Sequence, residues 1–234
     1  IRDRINGAKT YISNGQTADF IIIVAKTDPK ERAKGISLML LETEGAEGFQ
    51  RGKKLDKIGL DAADTSELFF DDVFVPAENV LGGVEGKGFY QLMGELPQER
   101  LIIAMGAMTG IEKALETTMD FVKNRKAFGQ TIWDFQNTQF VMADLKARAT
   151  AARVFVNDCI AKHLKKELSV DTACMAKYWV TELQGEVVDK CLQFHGGAGF
   201  INDYPIARMY RDSRITRIFG GSNEVMKMVI ARGM

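Results

Sequence analysis

The spacing of apolar residues changes character near residue 76. Before it, short runs rich in β-branched residues alternate with turn residues. Lys9-Thr10-Tyr11-Ile12-Ser13 leads into Asn14-Gly15, a dipeptide favoured in two-residue hairpin turns. Phe20-Ile21-Ile22-Ile23-Val24-Ala25 follows as a strand. Residues 36–41 form another, residues 55–60 and 67–70 two more, and Val73-Phe74-Val75 a last short one. Residues 26–35, with Pro29, read as a charged surface loop. Short strands joined by short turns, with no helix between them, predict an antiparallel sheet.

After Pro76 the pattern becomes helical. Residues 86–126 read as one long helix, or as two with a break at Pro97. Residues 133–168 are a second, only roughly amphipathic, with Phe140, Met142, Leu145 and Ala149 as its apolar positions. Residues 171–194 are a third, capped by Ser169 or Asp171 and stopped at His195-Gly196-Gly197. Residues 206–214 are a shorter helix, and Ser222 caps a final one over residues 223–231. The fold class is therefore α+β: an antiparallel β-domain over residues 1–76, then an antiparallel four-helix bundle over residues 77–234.

Composition narrows the class. The 234 residues carry 31 basic and 31 acidic side chains, so bulk charge does not recommend a nucleic-acid binder. No apolar run approaches the roughly 20 residues of a membrane helix. Cys159, Cys174 and Cys191 are too scattered for a disulfide framework, and two histidines make a His-rich metal site a poor reading, so no metal is expected. The chain opens Ile1-Arg2-Asp3 without Met, as if inside a strand, and is expected to be a piece of a longer protein.

Three segments could carry chemistry. Gln193-Phe194-His195-Gly196-Gly197 and Phe219-Gly220-Gly221-Ser222-Asn223-Glu224 place glycine turns beside helix ends. Their exposed amides could bind phosphate, or they could simply be tight turns between packed helices. Arg125-Lys126-Ala127-Phe128-Gly129 reads as a basic helix C-terminus, or as an arginine fork for phosphate. Glu95 and Glu99 flank Pro97, either as an ordinary charged helix start or as a general base against Leu101-Ile102-Ile103-Ala104. His195 reads as a packed or turn-capping residue.

The glycine turns, Tyr11-Ile12-Ser13-Asn14-Gly15, Arg125-Lys126-Ala127-Phe128-Gly129, Tyr204-Pro205 and Tyr210-Arg211-Asp212 together resemble the acyl-CoA dehydrogenases. The resemblance runs over essentially the whole chain, through that family's middle β-domain and C-terminal helical domain, and is strongest toward its long-chain branch. It implies an FAD enzyme that introduces an α,β-double bond into an acyl-CoA thioester. Many members carry Tyr-Glu-Gly-Thr before the last helix, with its Glu as base. This chain has Gly220 at that place and Glu99-Arg100 where other branches keep the base. The resemblance thus assigns Glu99 as base, the Gly220 amide as a thioester-oxygen donor and Arg100 as an ordering residue.

By the same resemblance, Tyr11 and Ser13 lie against the flavin. Arg125, Phe128, Gln136, Gln193, Phe194, His195, Gly196 and Gly197 reach the FAD of a neighbouring subunit, and Ser222, Asn223 and Glu224 that of their own. Tyr90, Gln98 and Gly221 face the acyl-CoA. A homotetramer, built as a dimer of dimers, and an electron-transfer flavoprotein as acceptor are implied. So is bacterial cytoplasm, or the mitochondrial matrix if eukaryotic. The family's N-terminal helical domain is missing from this stretch, which by itself should hold FAD weakly. Alternative readings are a peroxide-producing acyl-CoA oxidase and a non-enzymatic nucleic-acid-binding relative.

Overall fold

Two antiparallel ladders build the first part of the computed structural model, which describes residues 4–234. Of the opening residues 1–7, expected to lie inside a strand, residues 1–3 fall outside the described residues and residues 4–7 belong to the first strand. β1 (Arg4–Ser13) and β4 (Phe49–Lys54) flank β5 (Thr65–Phe74), while β2 (Phe20–Lys26) pairs with β3 (Ile36–Glu42) in a second sheet. Ile23, Met39 and Leu41 of one sheet and Leu68, Phe70 and Val73 of the other share one core with Val75 and Val80. Each such side chain contributes about 1.5–3 kcal/mol on burial.

Three expectations need correction here. Asn14-Gly15 closes no hairpin: β1 pairs with β5, and the Asn14 carbonyl accepts the Thr17 and Ala18 amides as the chain crosses between sheets. Residues 55–60 are not a strand. The strand is β4, whose Arg51, Lys53 and Lys54 disguise it as a loop in sequence but suit a sheet edge. Residues 67–70 and 73–74 form one strand, irregular where the Asp72 amide turns to the Asn6 side chain.

The chain divides into two compact units, Ile1–Glu95 and Leu96–Met234. Residues just beyond Pro76 stay with the sheets. Val80 bridges Met39, the Leu81 amide donates to the Leu38 carbonyl, and the Gly86 amide donates to Ser37 Oγ.

The second unit is a helical bundle. α1 (Gly88–Asn124) continues unbroken through Pro97. α2 (Gln136–Leu164) and α3 (Val170–His195) follow, then α4 (Pro205–Ser213) and α5 (Asn223–Arg232). α1 and α3 run parallel in constant register, as Arg100 meets Cys174 and Phe121 stacks on His195 at 4.2 Å between ring centres. α2 runs the opposite way, Phe155 meeting Trp179 and Arg148 meeting Glu186. Its buried face is more regular than the sequence suggests. Thr138, Met142, Leu145, Ala149, Ala152, Val156 and Cys159 recur at alternating steps of four and three, the seam of a bundle helix. Phe140 is not part of it, being 64% exposed. Ser169, not Asp171, caps α3, its Oγ accepting the Thr172 amide.

The segment read as a helix C-terminus at residues 125–129 is a small hairpin. α1 stops at Asn124, and β6 (Lys126–Ala127) pairs with β7 (Gln130–Thr131). Phe128 (φ 52°) and Gly129 (φ 83°) form its two-residue turn. Both φ values are positive, as a primed hairpin turn requires.

Candidate functional site

Glu99 lies on the exposed side of α1, four residues before Ile103, so the two share a helix face. Gly220 comes against that face. A Cβ built on it would fall 2.4 Å from Ile103 Cδ1, and its φ of 63° is one that side-chain-bearing residues rarely adopt. The turn at residues 219–222 therefore sets bare backbone against Ile103, one helical turn along α1 from Glu99. Arg100, next along α1, points inward and is buried. Its Nη1 donates to Cys174 Sγ at 3.3 Å, and its Nε has no hydrogen-bond partner among the described residues. Burial pushes the Cys174 thiol pKa up, opposed by the Arg100 charge.

Behind the turn is a cluster of polar residues that sequence reading missed. Lys177 of α3 is 0% exposed. Its Nζ donates to the Gly221 carbonyl and to Asn223 Oδ1, each at 2.8 Å. Asn223 Nδ2 donates to Thr181 Oγ1 at 3.0 Å and to Glu182 Oε1 at 2.8 Å. Glu182 also pairs with Arg217 at 3.3 Å. Burial lowers the Lys177 pKa to about 8, against the pull of Glu182 and Glu224. A signal for this lysine did exist. Ala173, Cys174, Lys177, Val180, Thr181 and Gln184 follow helical spacing, which puts Lys177 on the buried face.

The other expected residues divide by exposure. Tyr11 sits in a left-handed kink of β1 (φ 63°), where the register to β5 breaks between Lys9 and Ile12, and is 79% exposed. Ser13, at the end of β1, is exposed, as are Tyr90 and Gln98 on α1. Arg125, Phe128 and Gln136 are exposed at the hairpin and the start of α2, Phe128 to 95%. Gln193, Gly196 and Gly197 are exposed at the end of α3, and Phe194 packs against the bundle core.

His195 is buried. Its Nδ1 donates to the Cys191 carbonyl at 2.8 Å, and burial lowers its pKa against that hydrogen bond, so the side chain is a packed residue. Ser222 stands at the N-cap of α5 without a capping hydrogen bond to the backbone. Glu224 is exposed in the first turn of α5, its carboxyl pKa lowered by its own backbone amide and by the Ser222 hydroxyl. Asn223 was expected to sit by the FAD of its own subunit, with Ser222 and Glu224. Its side chain points into the protein: it is 1% exposed, with its amide oxygen and nitrogen both engaged by protein, and it anchors the turn. The described residues contain no cluster of His, Cys, Asp or Glu able to hold a metal. No helix among them is long and apolar enough to cross a membrane.

An antiparallel β-unit followed by a helical bundle, with a glycine turn set against the Glu99 face of the first long helix, defines the class. Residues 3–73 match the acyl-CoA dehydrogenase middle domain and residues 86–234 the acyl-CoA dehydrogenase C-terminal domain, so the chain belongs to the acyl-CoA dehydrogenase family. It is similar to the long-chain specific acyl-CoA dehydrogenase of Mus musculus mitochondria, at 50% identity over 230 residues, covering 97% of this chain and 53% of that protein. The short-chain specific enzyme of Megasphaera elsdenii is 41% identical over 226 residues, covering 96% of this chain and 58% of that protein. Among solved structures, an acyl-CoA dehydrogenase from Geobacillus kaustophilus superposes with TM-score 0.95 at 45% identity, covering 99% of this chain and 61% of that one. The chain thus spans about half the length of the curated relatives it matches.

Proposed function

We propose that this chain supplies the middle and C-terminal parts of an FAD-dependent acyl-CoA dehydrogenase in which Glu99 removes the α-proton of a bound acyl-CoA thioester. The observation that carries this reading is the approach of Gly220 to Ile103, which puts side-chain-free backbone beside the Glu99 face of α1. In the reaction the Glu99 carboxylate takes the α-proton, and the electron pair left at the α-carbon delocalises onto the thioester oxygen. The Gly220 amide donates to that oxygen as its negative charge grows. Arg100, buried with no carboxylate partner among the described residues, orders the inner side of the same stretch of α1. Tyr90, Gln98 and Gly221 are the proposed contacts to acyl-CoA.

The residues present fit the coenzyme. A Cβ at Gly196 or Gly197 would meet nothing within 4 Å, which leaves open backbone for a pyrophosphate. Arg125 offers an exposed guanidinium and Phe128 an exposed ring. Arg125, Phe128, Gln136 and residues 193–197 would hold FAD from a neighbouring subunit. Tyr11 and Ser13 would lie against the edge of a flavin, and Ser222 and Glu224 would sit by the FAD of their own subunit, with Asn223 supporting them from inside. When bound, FAD supplies the hydride acceptor for the β-carbon. A coenzyme site shared between subunits makes assembly obligatory, and a homotetramer is the proposed form. An electron-transfer flavoprotein is the proposed acceptor, and bacterial cytoplasm or the mitochondrial matrix the proposed compartment.

The test is anaerobic bleaching of flavin absorbance by acyl-CoA in the holoenzyme. Glu99→Gln should slow it by about 10²–10⁴-fold, the usual worth of a positioned base. Full activity in Glu99→Gln combined with its loss in Glu95→Gln would overturn the assignment.

A further inference from the structure

We propose that Lys177 is a positioning residue: enclosed by α3 and α5, its Nζ holds the Gly221 carbonyl and so fixes the direction in which the turn at residues 219–222 presents its amides. The catalytic meaning of this rests on the reading of that turn as receptor of the thioester oxygen. The geometry is a three-point clamp from one helix. Glu182 holds Arg217 ahead of the turn, Lys177 holds Gly221 within it, and Thr181 and Glu182 hold Asn223 behind it.

A peptide is planar and trans, so fixing the Gly221 carbonyl sets the Ser222 amide in the opposite direction. The Gly220 amide lies two peptide planes earlier and is directed only through the backbone conformation of the two glycines between. Glycines at 220 and 221 have little steric preference of their own, so an external anchor is needed to select one backbone conformation. Lys177 supplies it from a buried position.

The choice of a lysine has a chemical consequence. The charged groups facing it are Glu182 from its own helix, Glu224 from α5 and Arg100 from α1, together with the Cys174 thiol. Neither hydrogen bond that Lys177 makes goes to a carboxylate. The clamp is therefore an ion–dipole contact, about twice as strong charged as neutral. Burial holds the pKa near 8, so the contact weakens as pH rises through that value.

The test needs neither coenzyme nor substrate: amide hydrogen exchange of the peptide covering residues 219–223, referred to the intrinsic rate at each pH. In the unaltered chain the protection of this peptide should fall above an inflection near pH 8. Lys177→Met should speed its exchange about tenfold at pH 7 while peptides from the middle of α1 stay unchanged. Lys177→Gln, which keeps a donor without a titrating charge, should recover part of the protection and abolish the inflection. Unchanged exchange in Lys177→Met, or no inflection in the unaltered chain, overturns the proposal. If Lys177→Met does not fold, the unaltered chain and Lys177→Gln decide. In the holoenzyme, Lys177→Met should lower kcat about tenfold or more with KM little changed, as a misdirected oxyanion donor does. Loosened exchange with unaltered kcat would support the anchor and refute the role of the turn in catalysis.

Discussion

Two of the protein's turns on left-handed backbone, at residues 219–222 and 128–129, are kept in opposite ways. At residues 219–222 the strain is carried by glycines and locked from inside by Lys177 and Asn223, all of whose partners belong to the chain. At residues 128–129 a phenylalanine takes the left-handed position and holds its ring out, almost wholly exposed. A residue with a Cβ gives up about 1–2 kcal/mol in that conformation. The first turn is shaped for geometry and answers to its own core. The second holds its ring at the surface, edge-on to Phe135 at 6.3 Å between ring centres, where the proposed function gives it the coenzyme of a neighbouring subunit.

The comparison can be broken most forcefully at the reacting face. Glu99→Gln should cost the holoenzyme about 10²–10⁴-fold in flavin reduction, although it removes only one charge from the exposed side of α1. Next is pH. Lys177 titrates near 8 when folded and near 10.4 when unfolded. The unfolded chain therefore binds more protons between these values, so unfolding free energy rises with pH across the window. The effect is at most about 3 kcal/mol at 1.36 kcal/mol per pH unit. Urea titrations of the unaltered chain minus Lys177→Met would show it; a flat difference would mean the lysine is not held as charged and buried.

Smaller still, Asn223→Ala should lower stability by about 1–3 kcal/mol, because it strands buried partners on α3. Chemical denaturation measures this. The smallest effect should come from the second turn and have the opposite sign. Phe128→Asn places the residue favoured in such turns, and should stabilise the chain by about 1 kcal/mol while weakening FAD retention. Thermal melting and flavin titration would separate the two. If Phe128→Asn lost stability, the exposed ring would be part of the fold rather than a contact surface.

How much of this was legible depended on where the polar groups lie. The helices were readable because their apolar residues recur at the helical period, and β2 and β3 because they are runs of β-branched and other apolar residues. β4 was not, because an edge strand exposes charged side chains along most of its length. The hairpin at residues 126–131 was hidden because Phe128-Gly129 is an uncommon sequence for a primed turn. Among the candidate site residues, Glu99 and the glycine turns stood out by pattern and resemblance. Lys177 did not, since a lysine within a helix ordinarily reads as solvated surface.

The change from strands to helices near residue 76 and the helix cap at Ser169 are written in the chain itself, because periodicity and turn chemistry are local properties; the pairing of Gly220 with Glu99 came from the family resemblance. That Asn223 faces inward, that Arg100 meets a thiol rather than an acid, and that Lys177 ends up on the Gly221 carbonyl were decided only when α1, α3 and α5 packed together. Helical spacing marks the buried face, but which partner a buried side chain meets and the direction of a carbonyl are properties of neighbours far apart in sequence.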